Sequence, residues 1–359
     1  MIFFLTKYSK KMASSRVRTF NYIEQGGFNN YHVLPFYNQF YEKIIYKKDL
    51  YFKFIKLLCF LYAYFLRLLS LVMLIVKVKN KDVVYIEKEL LPYGPFFIDR
   101  FFLKKINKRA FIVFDFDDLV FDFYNNIPFL KGLIKTRSFL PTTYGSVILC
   151  GNHNLVNYFN QKNENNIDIL FLPSTFPFSH FQIEKKVEKV IIGWIGNPFT
   201  VKYLNVFLNN LLTVRDFNFS LLLCGVRREH LSESFVNLDI SFMEWSESNE
   251  IDFLKGIDIG IMPLPDNHFE QFKSGYKIIQ YFSFGIPVLC NPVGINKNYI
   301  VEDFNGRFTN FSFEEVSSFI EFFKKNSLRL RKNSHISYTR NFNFIDNLSI
   351  WKKYIYQNC

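Results

Sequence analysis

Lys273, Lys277 and Gln280 fall at i, i+4 and i+7, the spacing that puts three polar side chains on one helix face. They lie in FKSGYKIIQYFSFGIPVLCNPVG, residues 272–294, where Ser274 and Gly275 can open a helix and Gly285 with Pro287 can end it. A helix that starts among lysines gathers unpaired N–H groups and the positive dipole end into an anion site, so phosphate binding is the chemistry expected. A second string of the same kind is Gly196-Asn197-Pro198-Phe199-Thr200-Val201-Lys202, with a strand ending at Gly196, a helix starting near Thr200 and Lys202 in its first turn. Taken alone, that string reads first as an ordinary strand-to-helix turn with a solvated lysine; its position ahead of the 272–294 string favours phosphate binding instead.

Carboxylates form the third group. Phe114-Asp115-Phe116-Asp117-Asp118-Leu119-Val120-Phe121-Asp122 places acids after an apolar run, where doubly wound sheets bind their ligands. Three chemistries use such a string. A haloacid-dehalogenase-like phosphatase would employ Asp115 and Asp117, but its motif continues to Thr or Val where this chain has Leu119. A metal-binding DxD site is the second. The third is an acceptor site on Asp117 or Asp118, weighed against a turn that those aspartates merely cap. Two further loops complete the candidates: Ala13–Arg18, with Ser15 and Arg16 as partners for a phosphate, and Gly151–Leu155, with Asn152 and His153. A solvated helix face is the competing account of Arg16, and a structural role that of His153.

These residues need elements to hold them, and the apolar pattern supplies a series. Ile2–Leu5, Tyr31–Phe36, Val83–Glu87, Ala110–Phe114, Ser146–Cys150 and Ile169–Leu172 read as strands separated by helical stretches. After a charged stretch, Glu184–Lys189, that reads as a linker, VIIGWIG, FSLLLCG, ISFMEW, IDIGIMP and IPVLC form a second series. The expected architecture is α/β: two Rossmann-like, doubly wound parallel-sheet domains facing a cleft. Their expected spans are 1–185 and 186–340, with 341–359 a helix returning to the first domain. Leu57–Val76 is nearly all apolar and broken only by Arg67. A helix packed in the α/β domain is the first reading, a helix in a membrane interface flanked by lysines the second, and a membrane span the third.

Composition narrows the partners. The chain has 359 residues, long for one core, and a formal charge of +12, which implies an acidic partner. Without a compact basic arm or zinc-finger spacing, nucleic acid is excluded in favour of phosphorylated substrates or an anionic membrane surface. The 46 phenylalanines reflect composition bias rather than function. The five scattered cysteines read as core thiols in a reducing, cytoplasmic compartment. MIFFLTKYSKK has its lysines after its apolar residues, so it reads as a first strand and not as a secretory signal.

KSGYKIIQYFSFGIPVLCNPVGINKNYI, followed by Glu302, Asp303 and Asn305-Gly306, resembles the donor-site signature of retaining glycosyltransferases of family 4, which have the GT-B fold. The resemblance implies a nucleotide-sugar donor as co-substrate, no cofactor and no metal, and a glycan or glycolipid acceptor of the cell envelope. It gives Lys202 and Lys277 the diphosphate, and Ser15 with Arg16 the start of the acceptor side; Asp117 or Asp118, Asn152 and His153 are the further acceptor-side candidates, read from their places after strands. Donor contacts fall to Gly196, Asn197, Thr200, Glu270, Lys273, Ser274, Gly275 and Gln280. The chain departs from the family pattern at two glutamates, replaced by Phe272 and Gln280, and at an arginine, replaced by Asn197. Gln280 would then serve a ribose hydroxyl, and Glu270 or backbone N–H groups near Ser274 the sugar. Those losses also motivate a second expectation, a catalytically silent GT-B binding or scaffold subunit.

Overall fold

The computed structural model describes residues 1–121, 124, 137–181, 189–212, 214, 219–235 and 238–356. Asp122 and, apart from Lys189, the expected linker Glu184–Lys189 lie outside the described residues, as does the expected domain boundary at 185. The chain forms two compact units. One comprises Met1–Ser174, Phe272–Ser274 and Ile345–Cys359, and the other Thr175–Gln271 and Gly275–Phe344.

The first unit is built on a six-stranded sheet, wholly parallel, in the order β2-β1-β3-β4-β5-β6. Its strands are β1 (Ile2–Thr6), β2 (Tyr31–Pro35), β3 (Asp82–Glu87), β4 (Ala110–Phe116), β5 (Val147–Cys150) and β6 (Asp168–Phe171). β1, β3 and β5 are buried along their whole length, as expected of parallel strands covered on both faces. The chain runs from β1 outward to β2 and then back across to β3, so the order reverses between β1 and β3. The helix Phe344–Tyr356 closes this unit: Trp351 is fully buried, stacked 5.7 Å from Phe4 and 5.2 Å from Tyr22.

The second unit repeats the plan in the order β12-β11-β10-β7-β8-β9, again all parallel. Its strands are β7 (Val190–Ile195), β8 (Phe219–Cys224), β9 (Ile240–Met243), β10 (Ile259–Met262), β11 (Val288–Cys290) and β12 (Gly306–Phe308). The reversal here lies between β7 and β10. Tyr281 ties those two strands together, its hydroxyl lying 3.3 Å from both the Ile195 N–H and the Ile261 carbonyl. Two parallel six-stranded sheets with flanking helices are the α/β architecture that the alternating pattern predicted. Cys150, Cys224 and Cys290 are buried free thiols at the ends of β5, β8 and β11.

Two local expectations are corrected and a third, the helix packed in the α/β domain, is narrowed. Ala13–Arg18 is not a loop: residues 13–26 are helical throughout, with a π-helical stretch at Arg16–Phe20. Lys273 does not share a helix face with Lys277 and Gln280, because the helix starts at Tyr276 and its N-cap, Gly275, has φ of 67°. A side chain at Gly275 would be strained by that dihedral, and its Cβ would sit 2.7 Å from the Tyr299 ring. The apolar run 57–76 forms the middle of a 28-residue helix, Leu50–Lys77, and only one face of it is packed. Ala63, Arg67, Leu71 and Leu74 point inward, while the opposite face is solvent-exposed.

Candidate functional site

Open α/β sheets bind ligands beyond the carboxyl ends of their strands, where the order reverses. In the second unit that point is the end of β7, and the sequence there turns sharply. Asn197 Oδ1 accepts the N–H groups of Phe199 at 3.0 Å and Thr200 at 3.2 Å, and Thr200 Oγ1 accepts the Asn197 N–H at 3.1 Å. This turn launches the helix Val201–Leu211, with Lys202 exposed in its first turn. Asn197 therefore shapes the turn rather than presenting an open carboxamide.

Lys277 converges on the same turn through Trp194. Its ammonium lies 4.5 Å from the centre of the buried indole, a cation–π contact. The far edge of that indole abuts Gly196, where a Cβ would sit 2.3 Å from the ring. The neighbouring strand end approaches just as closely: Gly225, at φ of 86°, would carry a Cβ 2.1 Å from the Gly196 carbonyl oxygen. Two strand ends, a tight turn and a lysine thus share one small region; the N–H groups of Gly196, Asn197, Phe199, Thr200 and Val201 are spent on bonds within the protein, so the positive charge of Lys277 is what suits a phosphate or diphosphate there.

Two other candidates in this unit are occupied. Gln280 is only 2% exposed, and its amide donates to the buried carboxylate of Glu250, so it is not presented to a ribose hydroxyl. Glu270 is also buried and accepts the Tyr203 hydroxyl at 2.7 Å, rather than facing a sugar. Burial and this bond raise the Tyr203 pKa. Glu250 and Tyr203 escaped the sequence reading because their pairings join distant segments.

In the first unit the reversal point, between β1 and β3, holds a cluster of ionisable groups. Lys88, just past β3, contacts Asp117 at 2.6 Å and Asp118 at 3.2 Å. It adopts a left-handed backbone with φ of 64°, uncommon for a lysine and frequent at constrained sites. Burial works against its charge, but Asp117, Asp118 and Glu87 raise its pKa well above that of a free lysine. Burial likewise opposes ionisation of Asp118, yet Lys88, then Lys273 and Lys7, hold its carboxyl below the usual range. Glu87 accepts the Ser15 hydroxyl at 2.9 Å and the Lys7 N–H at 3.3 Å, and burial pushes its pKa up to about 7. Glu87 and Lys88 were legible by the rule that flagged Asp117, since Glu87 ends an apolar strand and Lys88 follows it.

The remaining candidates are accounted for locally. Asp115 is buried in a salt bridge to Arg18 and accepts the Tyr85 hydroxyl, which removes it as a phosphatase nucleophile. Ser15 is buried between Glu87 and the Tyr8 N–H, and Arg16 is buried as well. Asn152 caps the helix His153–Asn160 through the Asn154 N–H and donates to the Lys273 carbonyl at 2.7 Å. That bond joins the segment 272–274, including Ser274, to the first unit. His153 is exposed at its outer edge and stacked 3.9 Å from the Phe171 ring, and partial desolvation lowers its pKa.

No protein-family model and no curated protein matches the sequence. Solved structures do resemble the fold. HepE of Anabaena, determined with UDP and glucose, superposes with a TM-score of 0.69 at 10% identity over 98% of each chain. The pneumococcal O-GlcNAc transferase GtfA, in complex with UDP and GlcNAc, gives 0.57 at 13% identity over 82% of this chain. This chain spans 60% of the length of GtfA. TarM gives 0.58 at 12% identity, covering 80% of this chain and 57% of its own. With its two parallel six-stranded sheets, the chain has the GT-B fold.

Proposed function

We propose that the protein is a nucleotide-sugar glycosyltransferase whose donor diphosphate binds at the end of β7. The observation that carries this is the convergence of Lys277 and Trp194 on the Gly196–Thr200 turn, at the reversal point of the second sheet. HepE and GtfA, which share the fold, were solved with UDP, and UDP is the donor nucleotide proposed here. Breaking the bond between sugar and phosphate develops negative charge on the leaving diphosphate. Lys277 and Lys202 would stabilise it, an effect worth about a hundredfold in kcat per well-placed donor.

The reading extends to family 4 chemistry on the strength of the donor-signature resemblance. Retention would follow front-face attack, in which a leaving-phosphate oxygen takes the proton of the acceptor hydroxyl, so that neither an enzyme nucleophile nor a metal is invoked. Asp117 and Asp118, each held by Lys88, are the proposed acceptor-side groups, and the acceptor a cell-envelope glycan or glycolipid. The proposed location is the cytoplasm, in line with the buried free thiols. Incubating the full chain with a panel of nucleotide sugars and measuring nucleoside diphosphate release tests the activity. Wild type should turn over at least one donor, and Lys277→Ala should lose about two orders of magnitude.

The occupied Gln280 and Glu270 favour one other reading, a silent GT-B subunit that binds nucleotide without turnover. Tight donor binding with no diphosphate release across the whole panel, with and without glycan acceptors, would select it.

A further inference from the structure

The helix Leu50–Lys77 uses one face to join the first unit and leaves the other bare. On the packed face, Arg67 donates to the Thr6 carbonyl at 2.8 Å and the Leu34 carbonyl at 3.0 Å, pinning mid-helix to β1 and β2. On the opposite face Leu61, Phe65 and Val76 are 55%, 57% and 75% exposed, and Leu57, Leu58, Leu69, Val72 and Met73 are exposed too. At 100° per residue these positions span one side of the cylinder, a stripe about 30 Å long from Phe54 to Val76 with no charged residue in it. Soluble surfaces do not ordinarily leave so large an apolar stripe uncovered.

The charges around the stripe identify what covers it. At its start Lys47, Lys48 and Lys53 are exposed, and Lys56 binds the Ile45 and Lys47 carbonyls, fastening that basic segment to the helix. At its end stand Lys77, Lys79 and Lys81, with Arg109 reaching the Ile75 carbonyl at 3.4 Å. Between Leu50 and Lys81 the sequence contains no acid. The helix Phe96–Ile106, which packs against this one, exposes Phe97 and Phe101 beside Arg100, Lys104 and Lys105. An apolar face rimmed by lysines complements an anionic lipid surface, with side chains in the acyl boundary and ammonium groups among the headgroups. A second copy of the chain would bring the same basic rims together, which disfavours self-pairing.

We propose that the exposed face of Leu50–Lys77 docks the protein on an anionic bilayer, with the helix lying along the surface. A span is incompatible with the packed face, because crossing would pull Arg67, Leu71 and Leu74 out of the first unit's core. The proposal is independent of the transferase reading, since vesicle binding is measured without nucleotide.

Flotation of the full chain with phosphatidylcholine vesicles, with and without about one-third phosphatidylglycerol, tests it. Binding should rise at least about tenfold with the anionic lipid and fall in high salt. The triple variant Leu61→Glu/Phe65→Glu/Leu69→Glu should lose about tenfold or more. Lys47→Glu/Lys48→Glu/Lys53→Glu alters only exposed side chains and should weaken binding to anionic vesicles selectively. A Leu61→Trp variant should shift its emission to the blue on adding them. Failure to bind anionic vesicles, or binding that both triple variants retain, overturns the proposal. So does retention on membranes after alkaline carbonate, which would mean a span. A lipid-free dimer dissolved by the apolar-face variant, with no vesicle binding, would assign the face to a second copy instead.

Discussion

Replacing Lys88 by methionine is the sharpest test of the first-unit cluster. The side chain keeps its length and loses its charge, leaving Asp117 and Asp118 beside each other without their shared cation. At contacts of 2.6 and 3.2 Å, the attractions are about 6 and about 5 kcal/mol at an effective dielectric near 20, and desolvation of the three groups cancels much of them. Breaking a buried pair by removing one partner costs about 3–5 kcal/mol, and the 15% and 19% exposure of the aspartates points to the lower end. A loss of about 3 kcal/mol lowers Tm by roughly 6–12 °C in a unit of this size.

The pH dependence separates charge from packing. Asp118 has a depressed folded pKa, so its stabilising contribution is present above the unfolded value and disappears as pH falls through the folded one. Lys88→Met removes the largest source of that depression, leaving Lys273 and Lys7. The gap between variant and wild type should therefore be widest at about pH 7 to 8 and close below about pH 4. Thermal unfolding followed by circular dichroism across that range reads it directly. A deficit that stays constant with pH, or one below about 0.5 kcal/mol at neutral pH, would refute the argument that charge pairing holds the cluster.

Two other predictions follow from single groups. Burial raises Glu87 from its ordinary value to about 7, so the folded protein binds its proton more tightly than the unfolded chain and stability should decline from about pH 4.5 to 7. Glu87→Gln keeps an acceptor for Ser15 and should flatten that slope, as measured by Tm against pH; an unchanged slope would assign it to other groups. Gly225→Ala puts a methyl 2.1 Å from the Gly196 carbonyl at a dihedral that disfavours L residues. It should lower Tm of the second unit and weaken nucleoside diphosphate binding about tenfold or more, whereas normal binding by calorimetry would detach the site from the Gly196 turn.

The strands were the most legible part of the molecule, because buried parallel strands leave short apolar runs between turn residues. β12, Gly306–Phe308, was missed since three residues carry no period. Side-chain placement was legible where it depended on strand ends, as at Asp117 and Lys202. It failed where a single backbone angle or a distant partner decides. Gly275 in a left-handed conformation separates Lys273 from the helix of Lys277, and i to i+4 spacing assumes that no such break occurs. The Gln280–Glu250 and Glu270–Tyr203 bonds join positions 30 and 67 residues apart, a relation that local pattern does not encode. For the helix Leu50–Lys77, hydropathy announced an apolar element, but only the fold distinguishes the packed side from the bare one.

The central claim, a donor-diphosphate site where Lys277 meets the Gly196 turn, is tested most directly by calorimetric titration of UDP into wild-type protein and Lys277→Ala. A charge-assisted phosphate contact contributes about 1.5–3 kcal/mol, so the variant should bind UDP roughly 10- to 100-fold more weakly while keeping its fold by circular dichroism. Wild-type protein that binds no nucleoside diphosphate, or a Lys277→Ala variant that binds UDP as tightly as wild type, would contradict it.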